Sequence, residues 1–169
     1  MYSFSRLRTS MKQKTEQEAY LTLASLCANA EHCQWEMLEK MRRWELPEEA
    51  QARVMQRLVG ERYVDDERYA HAFVKDKLNY NKWGRRKIEQ ALWQKHIDEA
   101  VRQRVLDEIA DEDYVLVLRP LLKQKRKSTK AGSDYELNGK LIKFALSRGF
   151  TMDIIRQCIN VEDEDQFVD

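Results

Sequence analysis

One apolar pattern is written three times along this chain, and no other feature constrains the fold as much. Leu46, Ile97 and Phe150 serve as anchors, 51 and 53 residues apart. Nine residues before them stand Met37, Ile88 and Leu141, and five before them Met41, Leu92 and Ala145. Four residues after come Ala50, Val101 and Ile154; eight after, Val54, Val105 and Cys158; nine after, Met55, Leu106 and Ile159. A period of about 50 that preserves only apolar character marks a stacked helical repeat. Such units cannot bury their apolar faces alone, and together they expose a long surface to a partner. The pattern favours a binding protein over an enzyme.

Composition agrees with an all-α chain. Charged residues make up 35% and apolar residues 43%, which suits a folded protein rather than a disordered one. Two prolines and five glycines are too few turn residues for an all-β fold. The net charge of +1 hides segregation. Arg6, Arg8, Lys12 and Lys14 form a basic N-terminal stretch, and a second cationic run extends from Arg119 to Lys130. Glu162, Asp163, Glu164, Asp165 and Asp169 make the other end acidic. Three cysteines, Cys27, Cys33 and Cys158, at helical positions read as reduced thiols. No segment approaches the ~18 apolar residues of a membrane span, and the N-terminus lacks a secretory signal's hydrophobic stretch. A cytoplasmic monomer without membrane contact is expected.

Local signals place nine helices. Thr15 and Glu18 have capping-box spacing, followed by a stripe of Leu21, Ala24, Ser25 and Ala28. A second helix over Gln34–Trp44 should bury Met37, Leu38 and Met41, and Pro47 should open a third that ends near Gly60. In the second unit Asp65 is a natural N-cap, with Val64 stapled to Tyr69. Tyr69, Ala70, Phe73, Val74 and Leu78 then share a face. The loop Asn79–Gly84 ends that helix, with Gly84 as a turn residue. Asp98 should cap the helix carrying Val101, Val105, Leu106 and Ile109. In the third unit Pro120 should kink or end a helix that begins near Asp113. The stretch from Lys123 to Ser133 reads as an extended helix end and a mobile loop. The expected organisation is a basic arm over 1–14, three-helix repeats over 15–62, 63–110 and 111–160, and an acidic tail over 161–169.

Two basic clusters stand out. Lys75, Lys77, Lys82, Arg85, Arg86 and Lys87 surround Trp83, with Asp76 the one acid among them. They read either as a face for phosphates or acidic protein, with Trp83 as anchor, or as a solvated face with Trp83 packed as a lid. Lys123, Lys125, Arg126, Lys127 and Lys130 either track a nucleic-acid backbone or form a solvated loop. Asp65, Asp66 and Glu67 suit the positive end of a helix better than a metal or acid–base site, and Arg68 can pair with them across one turn. His32 and Cys33, with Cys27, lack metal-ligand spacing. No nucleophile elbow, phosphate-binding glycine loop or HExxH sequence occurs, so neither a catalytic centre nor a cofactor or metal is expected.

In the middle unit, Tyr63-Val64-Asp65-Asp66-Glu67-Arg68-Tyr69-Ala70, Phe73-Val74-Lys75-Asp76-Lys77, Trp83-Gly84-Arg85-Arg86-Lys87-Ile88, Leu92 and Lys95-His96-Ile97 together form a pattern. That pattern resembles the RecX family. The third unit is similar through Leu141-Ile142-Lys143-Phe144 and Arg148-Gly149-Phe150, and the first more loosely through Cys33, Glu36 and Met41. It departs from the family where Glu45 and His96 replace a glycine before the anchor. The resemblance implies an elongated, curved stack of three-helix repeats. It would lie in the groove of a RecA–single-stranded-DNA filament and inhibit strand exchange, ATP turnover and the coprotease function. It makes Arg68, Lys75, Lys77, Lys82, Trp83, Arg85, Arg86, Lys87, Lys95 and Arg148 candidates for contact with the filament. Lys123, Lys125, Arg126, Lys127 and Lys130 are candidates for the DNA backbone. The rival expectation is a helical DNA-binding module that competes for single strands.

Overall fold

The computed structural model describes residues 13–159; the basic arm up to Lys12 and the acidic tail lie outside the described residues. Among the described residues there are nine helices and no strand, in tandem three-helix repeats. They are α1 (Glu16–Asn29), α2 (Gln34–Arg43), α3 (Glu48–Gly60), α4 (Asp66–Asn79) and α5 (Arg85–Gln94), then α6 (Glu99–Asp107), α7 (Asp111–Ser128), α8 (Asp134–Ser147) and α9 (Met152–Cys158). The chain divides into two compact units, one through Ala72 with Lys95–Ile97, the other of Phe73–Gln94 with the residues from Asp98 onward.

In the first unit, α1 and α2 both pack on α3. The Thr15 hydroxyl accepts the Glu18 N–H at 3.1 Å and starts α1 as its sequence predicts. The buried face of α1 is Ala19, Tyr20, Leu23 and Ala24, while Leu21 is 56% exposed. Of the expected stripe only Ala24 is buried; Leu21, Ser25 and Ala28 face outward. Apolar residues occur nearly all round this helix, so spacing alone does not pick its inner face. Met37, Met41, Ala50, Val54, Met55 and Leu58 fill the core between α2 and α3, as their triplicated spacing requires. Asp65 caps α4 by accepting the Arg68 N–H at 3.0 Å.

In the second unit, α5 packs on α6, and α7 packs on α8 and α9. Three expectations need correction. Pro120 does not end α7, and the helix starts at Asp111 rather than near Asp113, running unbroken to Ser128. Proline removes one N–H to the carbonyl four residues back. Pro120 and Leu116 are both exposed, so that carbonyl lies on the solvent side. Continuity also makes Lys123–Ser128 helix, leaving only 129–133 as connection. Asp98 occupies the N-cap position of α6, but its side chain makes no capping hydrogen bond.

The turns before the three anchors share one backbone conformation. Glu45 has φ 56°, His96 φ 56° and Gly149 φ 93°, all left-handed. Leu46 donates its N–H to Met41 O at 3.1 Å and Phe150 to Ala145 O at 3.2 Å, the closure of a Schellman-type helix end. The anchors beyond are buried, Leu46 at 6% and Ile97 and Phe150 at 1% exposure. Burying one such side chain contributes about 1.5–3 kcal/mol, more than the ~1–2 kcal/mol cost of a left-handed non-glycine residue. Glu45 and His96 therefore keep the turn that glycine favours.

Candidate partner-binding face

Two glycines organise the second unit. Gly84 donates its N–H to Arg148 O at 2.8 Å, and Arg86 donates to Gly149 O at 3.0 Å. A Cβ on Gly84 would stand 2.4 Å from the Phe150 nitrogen, and one on Gly149 would stand 2.4 Å from the Lys87 Cβ. The first turn of α5 is thus pressed backbone to backbone against the turn after α8. Gly84 is more than a turn residue: it permits this approach.

The joint sets cations from three helices and the turn after α8 among aromatic rings. The Lys77 and Lys87 ammonium groups lie 5.0 and 4.7 Å from the Trp83 ring centroid, and Lys77 lies 5.2 Å from that of Phe73. The Lys125 ammonium and the Arg148 guanidinium lie 5.1 and 5.3 Å from the Phe144 ring. Arg148 also reaches Asn81 O at 3.5 Å. Each cation–π contact is worth ~0.5–1 kcal/mol at such exposure. It positions the charge while leaving N–H donors free for an anionic partner. No carboxylate pairs with Lys77, Lys87, Lys125 or Arg148 among the described residues. Trp83 is half-buried with cations over it, between the two roles its sequence context allowed.

Other candidates stand apart from this cluster. Arg85 pairs with Asp107 at 2.6 Å and reaches Gln103 at 3.2 Å, tying α5 to α6. Arg86 is exposed with no side-chain partner among the described residues, and Lys75 is exposed. Lys82 takes a left-handed φ of 58° in the loop before Trp83. Lys123, Lys125, Arg126 and Lys127 are exposed on the last turns of α7, where Arg126 bonds Asn138 at 3.3 Å. Lys130 is exposed, and its carbonyl accepts from Lys140.

Arg68 and Lys95 belong to the first unit. Arg68 pairs with Glu31 at 2.6 Å, not with the acids one turn away, and also bonds Arg62 O and Tyr63 O. Lys95 pairs with Glu36 at 3.4 Å and lies 5.3 Å from the Trp35 ring. Trp35 stacks on His96 at 5.2 Å with 9° between planes. The buried Cys33 thiol donates to Lys95 O at 3.8 Å, and burial pushes it up to about 12. Asp65, Asp66 and Glu67 include one cap and one latch: Asp66 accepts the Gln34 N–H at 2.8 Å while burial pushes its carboxyl above the usual range. No group of three or more metal-ligating side chains occurs among the described residues.

Sequence reading missed Phe144 as a seat for cations and Trp35–His96 as a stack. The i, i+4 spacing of Phe73 and Lys77 signals one such pair; Lys125, Phe144 and Arg148 come from separate segments and leave no local signal. No helix among the described residues is long and apolar enough to cross a membrane.

Known proteins share this fold. Residues 65–106 match the family model described as "RecX, second three-helix domain" and residues 111–159 that described as "RecX, third three-helix domain". Regulatory protein RecX of Acinetobacter baylyi is 30% identical over 162 residues, covering 95% of this chain and 99% of that protein. That of Bacillus cytotoxicus is 27% identical over 143 residues, and the match spans 85% of this chain but only 53% of the longer Bacillus protein. The crystal structure of RecX from Lactobacillus salivarius has a similar fold, with TM-score 0.78 at 22% identity over 88% of this chain and 97% of that one. A second RecX crystal structure gives TM-score 0.77 at 19% identity over 91% of this chain and 74% of that one. Fold, order of repeats and full-length identity to a regulatory protein agree, and the chain belongs to the RecX family.

Proposed function

We propose that this protein binds the RecA recombinase assembled on single-stranded DNA and inhibits its strand-exchange, ATPase and coprotease activities, acting as a binding protein without chemistry of its own. The observation that carries the reading is the unpaired cation–aromatic face of Lys77, Trp83, Lys87, Lys125, Phe144 and Arg148. A nucleoprotein filament offers phosphates and acidic side chains together, and rigid aromatics beside free cations suit both. The names of the relatives, regulatory proteins RecX, point the same way.

A second reading is competition for the strand itself. It is favoured by Lys123, Lys125, Lys127 and Lys130, all exposed in one stretch of α7 and the loop after it. Each phosphate neutralised adds about −0.7 to the salt slope for a single strand. The two readings separate in one experiment: RecA ATPase on single-stranded DNA, titrated with this chain, beside binding to the same DNA without RecA. Inhibition well below the concentration that saturates naked DNA is expected. Inhibition that only tracks saturation of the DNA makes strand competition the function.

A further inference from the structure

The loop that joins α4 to α5 sets one ring apart from the others. Tyr80 donates its N–H to Asp76 O at 2.9 Å, and Trp83 donates to Lys77 O at 3.0 Å around a left-handed Lys82. The loop is thus tied to the end of α4. It holds the Tyr80 ring outward at 82% exposure, the most of any large apolar side chain among the described residues. Ammonium groups already lie by the rings of Phe73 and Trp83, and Phe144 carries Lys125 and Arg148. Tyr80 has neither a cation over its ring nor a second ring against it among the described residues. Cations nonetheless flank it along the chain, Lys77 before it and Lys82 after it, with Asp76 the one acid between Lys75 and Lys87. The Arg148 guanidinium also reaches the carbonyl of Asn81, the next residue, at 3.5 Å.

We propose that Tyr80 is a base-stacking residue for single-stranded DNA, with Lys77, Lys82 and Arg148 meeting the phosphates beside the stacked base. The inference rests on the partner-binding face described above and assigns that face to the DNA strand. An acidic protein surface would need the cations alone. A bare aromatic face held beside cations without carboxylate partners suits a ligand that alternates π-faces with phosphates, as a single strand does. A duplex keeps its base faces stacked inward and would leave the ring without a partner. Because every base has a π-face, the contact carries no sequence preference.

The test measures fluorescence anisotropy of a labelled oligo-dT strand, and of an abasic strand of equal length, at low salt without RecA. It uses the full chain as wild type, Tyr80→Ala and Tyr80→Phe, with Trp93→Ala as an exposed ring outside the cation cluster. Tyr80→Ala should bind oligo-dT roughly tenfold more weakly. Its salt slope should be unchanged, since no phosphate contact is removed. Tyr80→Phe and Trp93→Ala should stay within about twofold of wild type, and the abasic strand should not distinguish Tyr80→Ala from wild type. Circular dichroism should match throughout, because both replaced rings are exposed. The proposal is overturned by wild type that does not bind oligo-dT, by Tyr80→Ala binding like wild type, or by an equal loss on the abasic strand or in Trp93→Ala. RecA ATPase is read separately with the same proteins. Inhibition without these binding differences removes the stacking role alone, and the binding differences without inhibition remove the filament reading alone.

Discussion

Two joints in this chain solve the same problem with different atoms. In both, the first turn of a repeat's middle helix meets the left-handed turn before the anchor of the following repeat. In the second unit Gly84 meets Arg148–Gly149 through backbone alone, at distances that exclude any Cβ. In the first unit Cys33 stands where Gly84 does in the repeat, and His96 where Gly149 does. There side chains fill the gap: the thiol on Lys95 O, Trp35 stacked on His96, and Lys95 against Glu36. The glycine joint leaves Lys77, Lys87, Lys125 and Arg148 without a carboxylate partner among the described residues, and the side-chain joint pairs Lys95 with Glu36. The same architecture thus gives one self-satisfied surface and one open to anions.

The largest expected effect breaks the glycine joint. Gly149→Ala adds a Cβ 2.4 Å from the Lys87 Cβ at a residue with φ 93°, and overpacking plus a strained left-handed residue costs about 3 kcal/mol or more. Gly84→Ala meets backbone instead and should cost a similar amount; urea midpoints measure both. Glu45→Gly, in the corresponding turn of the first repeat, should instead leave stability unchanged or raise it by up to about 1 kcal/mol. His96→Gly relieves the same backbone strain but loses a ring stack worth about 0.5–1.5 kcal/mol, so it should fall below Glu45→Gly. Equal losses at all four positions would mean the joints do not differ.

A smaller effect reads the buried thiol. The unfolded Cys33 thiol ionises near 9.0, while in the fold it is held up to about 12. Between those values the unfolded chain has lost a proton that the native chain keeps. The contribution is therefore complete below pH 9 and is lost as pH rises through the window. Tyr114, held at about 12 against an ordinary 10.0 by burial, adds to the same decline. Cys33→Ala should flatten the alkaline slope of urea midpoints but not abolish it; an unchanged slope would contradict the burial assigned to that thiol. Smallest of all, Arg68→Ala should cost about 1 kcal/mol or less, since its pair with Glu31 is partly exposed.

The fold was legible where a local signal sets local structure. Thr15 and Asp65 cap helices as their spacing predicts, Pro47 stands at the head of α3, and the triplicated anchors are buried. It was illegible where tertiary context decides. Pro120 is tolerated because its side of α7 faces outward, and the inner face of α1 depends on what packs on it. The candidate face was half legible. Its cations and Trp83 are visible as a cluster, but which charges are neutralised is not. Arg85 finds Asp107 22 residues away, and Arg68 finds Glu31 37 residues away, across folded elements.

The most direct test of the account compares the two joints in function. RecA ATPase on single-stranded DNA is titrated with a Lys77→Glu/Lys87→Glu/Lys125→Glu variant and with Lys95→Glu, after circular dichroism confirms equal helical content. Three reversed contacts at about 1 kcal/mol each predict a loss of inhibitory potency of tenfold or more for the triple variant. Lys95→Glu, already paired with Glu36, should stay within about threefold of wild type. A triple variant that inhibits like wild type, or a Lys95→Glu loss as large as the triple variant's, would contradict the assignment of the partner-binding face to the glycine joint.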